Sequence, residues 1–317
     1  MKVVGCYKGI DDLNTSPQVV TWRSVLIGLF LLTFNVYWVT VTEMKYRAEA
    51  TALPIFIYPV FILFCLVVSN YLLSKFWSSI QLLPSELLTI YAMLVVSTSI
   101  ASYGMLQDLF ALIVHPYWFA TEENEWRELF WHHLPTWLTV SNRTVLRGYY
   151  QGESSIYFPL HLLTWVPVIL SWVLLFSLLA VIFLCLNTIL RRQWADRERL
   201  TFPIIQLPLE MAKPDSSIFR NKRLWLGIAL AGGISLLNGI STLFPSVPGL
   251  PITRHFYRFS EPPLRFYGTV IVAFYPFAIG IMFLMPLDVL FSTLLFYFIS
   301  RNQMAASNAF GLQGNFP

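Results

Sequence analysis

Charge is scarce in this 317-residue chain, with 21 basic and 17 acidic side chains in all. It is missing altogether from residues 24–42, 54–74, 87–107, 162–190, 224–253 and 266–287. Each of these stretches is long enough to cross a bilayer as a helix, which takes about 20 residues. A single such run fits a buried core helix, but a series with all its charge in the gaps fits a polytopic membrane protein. The charged fraction of 12% is half the roughly 25% of a soluble domain. Cysteine is also rare. Three thiols, Cys6, Cys65 and Cys185, lack the close spacing of a disulfide framework or a zinc site. HExxH, GxSxG, Walker and GxGxxG patterns are absent, which argues against soluble-type catalytic machinery. No cofactor is expected. A net charge of +4 is too modest and too unevenly placed to point to nucleic acid.

What is present reads as an all-α, polytopic bundle of six or seven spans. Residues 1–23 form a cytoplasmic N-terminal segment ending at Arg23. The first apolar run lacks a small-x-small cleavage pattern and is read as a retained helix. The first three helices fill 24–107, at about 24–42, 54–74 and 86–107, with Glu86 suited to the positive end of a helix dipole. Residues 108–158 change character. The stretch from Thr121 to Leu129 is acidic, and Trp126, Trp131, Trp137, Tyr149 and Tyr150 are of the kind that rests at a membrane interface. This segment reads as an external loop with short interfacial helices. Asn142-Arg143-Thr144 matches a glycosylation acceptor, a weak signal. The remaining helices occupy 159–317. Between 190 and 223 eight basic residues outnumber four acidic ones. The positive-inside rule puts this gap in the cytoplasm and, by counting crossings, the N-terminus inside. The run 266–300 is too long for one upright helix. Pro276, Pro286 and Asp288 interrupt it, leaving a tilted helix, two tight crossings or a broken helix open.

Three features are candidates for chemistry. Asp288 is the only carboxylate between Phe266 and Ser300. A charge at mid-bilayer costs at least ~2.5–3.5 kcal/mol on insertion scales and usually faces a cavity or a partner. Asp288 therefore reads either as a protonatable site at the break made by Pro286 or as a helix-start residue in a surface turn. Residues 199–211 are apolar but interrupted by Pro203 and Pro208, which disfavour a regular crossing. Gln206 and Glu210 lie four apart and share a face of any helix there. The segment reads as re-entrant or as lying on the cytoplasmic leaflet. Finally Asn35, Asn187, Asn238 and the group Ser97, Thr98 and Ser99 are polar residues within spans, individually read as interhelical glue. Asn35 would join a solute pathway only if several such groups met at one cavity. His132 and His133 are adjacent and point to different sides, a poor shared metal site.

The run from Glu198 to Met211, with Leu200-Thr201-Phe202-Pro203 after a basic turn, resembles a group of prokaryotic membrane proteins distantly similar to the oligopeptide transporter superfamily. The run from Phe274 to Asp288 is similar to the same group. The resemblance implies secondary transport of peptides, metal-chelate complexes or related small solutes, often proton-coupled. Apolar segments interrupted by proline next to carboxylates point to Asp288, Glu210, Gln206 and Asn35 as pathway residues, with Pro203, Pro208, Pro276 and Pro286 as helix breaks. The wider superfamily has more helices than this chain holds, so the resemblance also implies either a fragment or the N-terminal half of a larger transporter. The Gly-rich element expected after Pro203 in yellow-stripe-like members is absent, and their substrate does not carry over. Expected partners are the lipid bilayer, a small-molecule solute with or without protons, and a homo-oligomeric second copy. The rival reading is a membrane-embedded lipid or glycan transferase whose acidic and His residues in 108–158 (Glu125, Glu128, His132) converge on a pocket.

Overall fold

The computed structural model describes residues 20–46, 51, 57–76, 81–197, 202–213, 221–250, 252, 255–262 and 264–310. Most of the N-terminal segment, Leu200 and Thr201 of the motif, and Arg199 and Arg220 of the 190–223 gap lie outside them. The chain is mostly helical. Among the described residues four helices are long and apolar enough to cross a membrane: Trp22–Tyr46, Pro84–Trp118, Pro159–Trp194 and Lys222–Leu243. Two compact units divide after Leu200.

In the first unit, α1 (Trp22–Tyr46) lies along α3 (Pro84–Ala101), and α2 (Ile57–Phe76) also packs on α3. The buried stripe of α1 is Ser24, Gly28, Asn35, Val39 and Glu43, while Leu26, Leu29, Phe30, Phe34 and Tyr37 are exposed. A water-soluble helix buries the opposite set. Small and polar residues at the helix contact with apolar ones outward is the arrangement that suits hydrocarbon. Gly28 is part of this seam, since a Cβ there would stand 2.6 Å from Met93 Sδ.

Beyond α3 the chain stays helical, and the 108–158 segment opens on a short helix. A π-helical turn, Tyr103–Gln107, leads into α4 (Asp108–Trp118). The rest of the segment holds α5 (Trp126–Leu129), a 3-10 turn at Trp131–His133 and α6 (Arg143–Gln151). Asn142 caps α6, its Oδ1 accepting from the Thr144 and Val145 amides. That is a structural use for the acceptor-like triplet. Val145 and Leu146 of α6 join Ile113, Val114, Tyr117, Val140, Trp165 and Val168 in a core between α4, α6 and the start of α7 (Pro159–Arg191). The indole N–H groups of Trp131 and Trp172 donate to the Pro116 and Leu138 carbonyls. Past Val168, α7 exposes nearly all its apolar side chains.

The second unit contains α8 (Pro203–Ala212), α9 (Lys222–Leu243), the antiparallel strands β1 (His255–Arg258) and β2 (Thr269–Val272), α10 (Pro276–Leu284) and α11 (Leu287–Ala309). The hairpin, with His255 opposite Val272 and Arg258 opposite Thr269, is a small two-stranded addition to a fold that is mostly helical, as the all-α expectation has it. Its strand β2 occupies the start of the 266–300 run. The rest of that run is a helix broken at Met285-Pro286. Proline at the N-cap of α11 lacks an amide hydrogen and restricts its predecessor to extended backbone, so α10 ends at Leu284. Asn238 of α9 holds the chain at Leu250 through both its amide atoms. Asn308 and Arg301 of α11 donate to the Phe266 and Tyr267 carbonyls.

Candidate functional site: a broken helix on a buried carboxylate

The seam between α1 and α3 carries polar side chains at three levels. At one end Glu86 accepts from the Leu83 amide at 2.9 Å and from the Thr21 hydroxyl. In the middle Asn35, fully buried, donates to Ser97 Oγ at 3.1 Å and Thr98 Oγ1 at 2.8 Å. At the far end stands Glu43, 5% exposed. Glu43 is eight residues from Asn35 along α1, or ~12 Å at the helical rise. The two carboxylates therefore sit near opposite ends of a length comparable to the ~30 Å hydrocarbon layer.

Glu43 holds a break in the long helix. Ser102 stops α3 by turning to extended backbone (φ −64°, ψ 160°), and the π turn starts afresh at Tyr103. A new helical start exposes amide hydrogens without intrahelical acceptors. Glu43 Oε2 accepts the Tyr103 amide at 2.9 Å and Gln107 Nε2 at 3.3 Å. Its Oε1 accepts the amide and the hydroxyl of Thr51. The carboxylate thus meets four donors, which is what keeps a buried negative charge tolerable. Gln107 also donates to the Ala101 carbonyl across the break. With Nε2 committed, its buried Oε1 has no donor.

A cavity of 380 Å³ lies beside this turn. Gln107 and Phe110 line it from the broken helix, Thr40 and Met44 from α1, Tyr149 from α6, and His161 and Trp165 from α7. It is apolar apart from a few groups. At its rim Ser154 Oγ lies 3.4 Å from His161 Nδ1. Gly148 lets α6 approach this rim, because a Cβ there would stand 2.8 Å from Ser154 Oγ. Burial raises the pKa of the Tyr149 phenol, and that of Tyr150 is raised by burial and by its neighbour Tyr149.

The residues singled out in the sequence fall elsewhere. Asn35 meets Ser97 and Thr98, as interhelical glue would. Asp288 is exposed in the first turn of α11, just after Pro286 at the N-cap. Gln206 and Glu210 lie on consecutive turns of α8, and Glu210 pairs with Lys213 at 2.5 Å. Pro203 starts α8 and Pro276 starts α10, while Pro208 is buried within α8, whose ten residues run through it. Glu125, Glu128 and His132 are all exposed, and none lines the cavity. No group of three His, Cys, Asp or Glu side chains suited to a metal occurs among the described residues. Glu43 and Gln107 were not singled out, because Glu43 opens a polar link and Gln107 ends a span in the sequence. The available signal was the spacing Asn35, Val39, Glu43, which continues one helical stripe past the expected end at 42.

No curated protein and no solved structure matches the chain. A family model does match residues 14–317, and the chain thus belongs to the family of unknown function DUF6785.

Proposed function

We propose that this protein is a secondary-transporter-like integral membrane protein that moves a small solute past the Glu43–Gln107 turn. The observation that carries this reading is the helix broken at Ser102, with a buried carboxylate at the start of its second half and a cavity alongside. Discontinuous helices whose half-helix ends and freed backbone groups meet charge are how transporters build solute and ion sites. Glu43 is the group best placed to respond to a proton. Protonation would remove a charge that four donors now stabilise and would loosen the two halves of the broken helix. In this reading α2 and the α10–α11 pair complete six or seven spans, with the N-terminus inside and the 108–158 segment outside. Residues 199–211 approach the bilayer from the cytoplasmic side. The motifs resembling the oligopeptide transporter superfamily favour the same class and peptides or related small solutes as cargo.

The test is uptake of a labelled di- and tripeptide panel by proteoliposomes under an imposed pH gradient. Gradient-driven accumulation is expected, with loss of about tenfold or more in Glu43→Gln. Asp288→Asn, assayed beside it, decides whether Asp288 shares the proton role. Accumulation that ignores the gradient and both substitutions removes the proton-coupled reading.

The rim pair Ser154–His161 favours a second reading, an acyl- or glycosyl-transfer enzyme facing the outer leaflet. A serine nucleophile needs a base within reach and a third group to orient that base. Among the described residues no carboxylate hydrogen-bonds His161. Covalent labelling of Ser154 by a fluorophosphonate, abolished in His161→Gln, would establish the enzyme; no labelling is expected.

A further inference from the structure

We infer that the end of α7, with the π turn Arg192–Arg197 that follows it, binds the headgroup of an anionic phospholipid. The first observation is depth. Val168 is the last buried residue of α7, in the core shared with α4 and α6. Residues 169–190 carry no charge. They rise about 33 Å at ~1.5 Å per residue, close to the ~30 Å of a hydrocarbon layer. With that core at one membrane interface, Arg191 and Arg192 reach the phosphate level of the opposite leaflet.

The second observation is unspent positive charge. Between 191 and 197 the chain has three arginines and one acid, Asp196. Arg191, Arg192 and Arg197 are exposed. Arg197 Nη1 donates to Gln193 Oε1 at 3.4 Å, whereas Arg191 and Arg192 have no ion-pair or hydrogen-bond partner among the described residues. A guanidinium offers a planar fork of donors that matches two phosphate oxygens. The π turn helps to gather these groups. Arg192 and Arg197 lie five apart, and π winding bonds residue i to i+5. It brings Arg197 round toward the side of Arg192, where α-helical winding, at about 3.6 residues per turn, carries it away.

The third observation is the setting. Trp194, 38% exposed, is the kind of side chain that settles at headgroup level. Toward the bilayer Phe183, Leu186 and Ile189 are exposed, so acyl chains have bare apolar helix to lie along. Basic residues directly beyond a membrane helix attract anionic lipid, each one adding to the pull near the surface. A zwitterionic headgroup brings its own ammonium and gains less. A second copy packed alongside in the same orientation would set its arginines at the same level, like charge against like.

The inference rests on the transport reading only for the leaflet, the cytoplasmic one. Native mass spectrometry of the full chain, released from mixed micelles with equal phosphatidylglycerol and phosphatidylcholine, reads the preference. Retained phosphatidylglycerol should exceed phosphatidylcholine. Replacing both Arg191→Gln and Arg192→Gln should cut that excess by about tenfold or more. Glycerol 3-phosphate, which has the phosphate without the chains, should displace little; full displacement would mean a free-phosphate site and overturn the lipid. A phosphatidylglycerol with a diazirine on its acyl chain should mark residues 182–197 of the unaltered chain. That arm decides alone if the double variant gives no monodisperse protein. Equal retention of the two lipids, an excess that survives the double substitution, or marks confined to other helices overturns the inference. Binding is read without a gradient. Lipid retained by a protein that takes up no peptide would sink the transport reading alone, and uptake without a lipid excess would sink this one alone.

Discussion

At the scale of single residues, the structure separates polar groups that look alike in sequence. Glu43 and Asp288 are both lone acids beside apolar runs, yet one meets four donors in a buried turn and the other is exposed at a helix start. Glu43→Gln replaces a four-donor acceptor with a group that has one acceptor oxygen and brings donors of its own. Hydrogen bonds to a charged group contribute about 1.5–3 kcal/mol each, so thermal unfolding in detergent should drop by several degrees. Asp288→Asn should stay within about 0.5 kcal/mol of the parent, as exposed substitutions do. Equal melting shifts for the two would refute this ranking. Asn35 is a different case. Its Nδ2 bonds two hydroxyls, but its Oδ1 is buried without a donor. Asn35→Leu removes two bonds and one orphan, so the net cost should stay near the ~0.6 kcal/mol average for a single intramembrane hydrogen bond. A loss of several kcal/mol would mean that Asn35 organises more than the α1–α3 contact.

Among the elements, those with a strong hydrocarbon signature were legible in the sequence and those set by capping or pairing were not. The apolar run 162–190 becomes α7 almost residue for residue, because nothing within it offers the backbone an alternative partner. Pro286 announces the break before α11 for the reason any proline does. The β1–β2 hairpin was not legible, since Thr269–Val272 lies in the same uncharged run as α10 and its strand state depends on pairing with His255–Arg258. The π turn at Tyr103–Gln107 was hidden for a similar reason. Its cause is Glu43, sixty residues earlier in the chain. Helix α6 was foreseen only as interfacial, although its cap and its core contacts make it a packed element. Asn142→Ala should cost about 1 kcal/mol, the usual value of a helix N-cap. The phenols of α6 give a pH signature as well. Burial raises the pKa of Tyr149 above its unfolded value of roughly 10. Its contribution to stability is therefore complete below that unfolded value and is lost as pH rises through the folded one. Phenolate absorbance should show a late-titrating tyrosine that disappears in Tyr149→Phe. A titration unchanged by that substitution would show that α6 does not shield the ring.

For the whole molecule, the decisive physical fact is that polarity is turned inside out. The α1–α3 seam buries Ser24, Asn35, Glu43, Glu86, Ser97 and Thr98, while Leu26, Leu29, Phe30 and Phe34 of α1 face outward. Only a hydrocarbon surround makes that arrangement stable, and the thiols offer a direct test. Cys65 and Cys185 are exposed on the protein surface, and both lie within apolar helices. In a bilayer they should be shielded, so a membrane-impermeant maleimide should label them in neither intact cells nor inverted vesicles. Detergent should not be needed for positions beyond the helix ends. In a Cys6→Ser background, Ser141→Cys should label from the outside and Gln193→Cys from the inside. Both follow from the proposed orientation, in which the arginine excess sets the 190–223 gap on the cytoplasmic side. Rapid labelling of Cys185 in sealed membranes would show that α7 is wetted along its length, and the bundle would need a different solvent. Labelling of Ser141→Cys from the inside alone would invert the orientation, and the cavity beside Glu43 would then open to the cytoplasm.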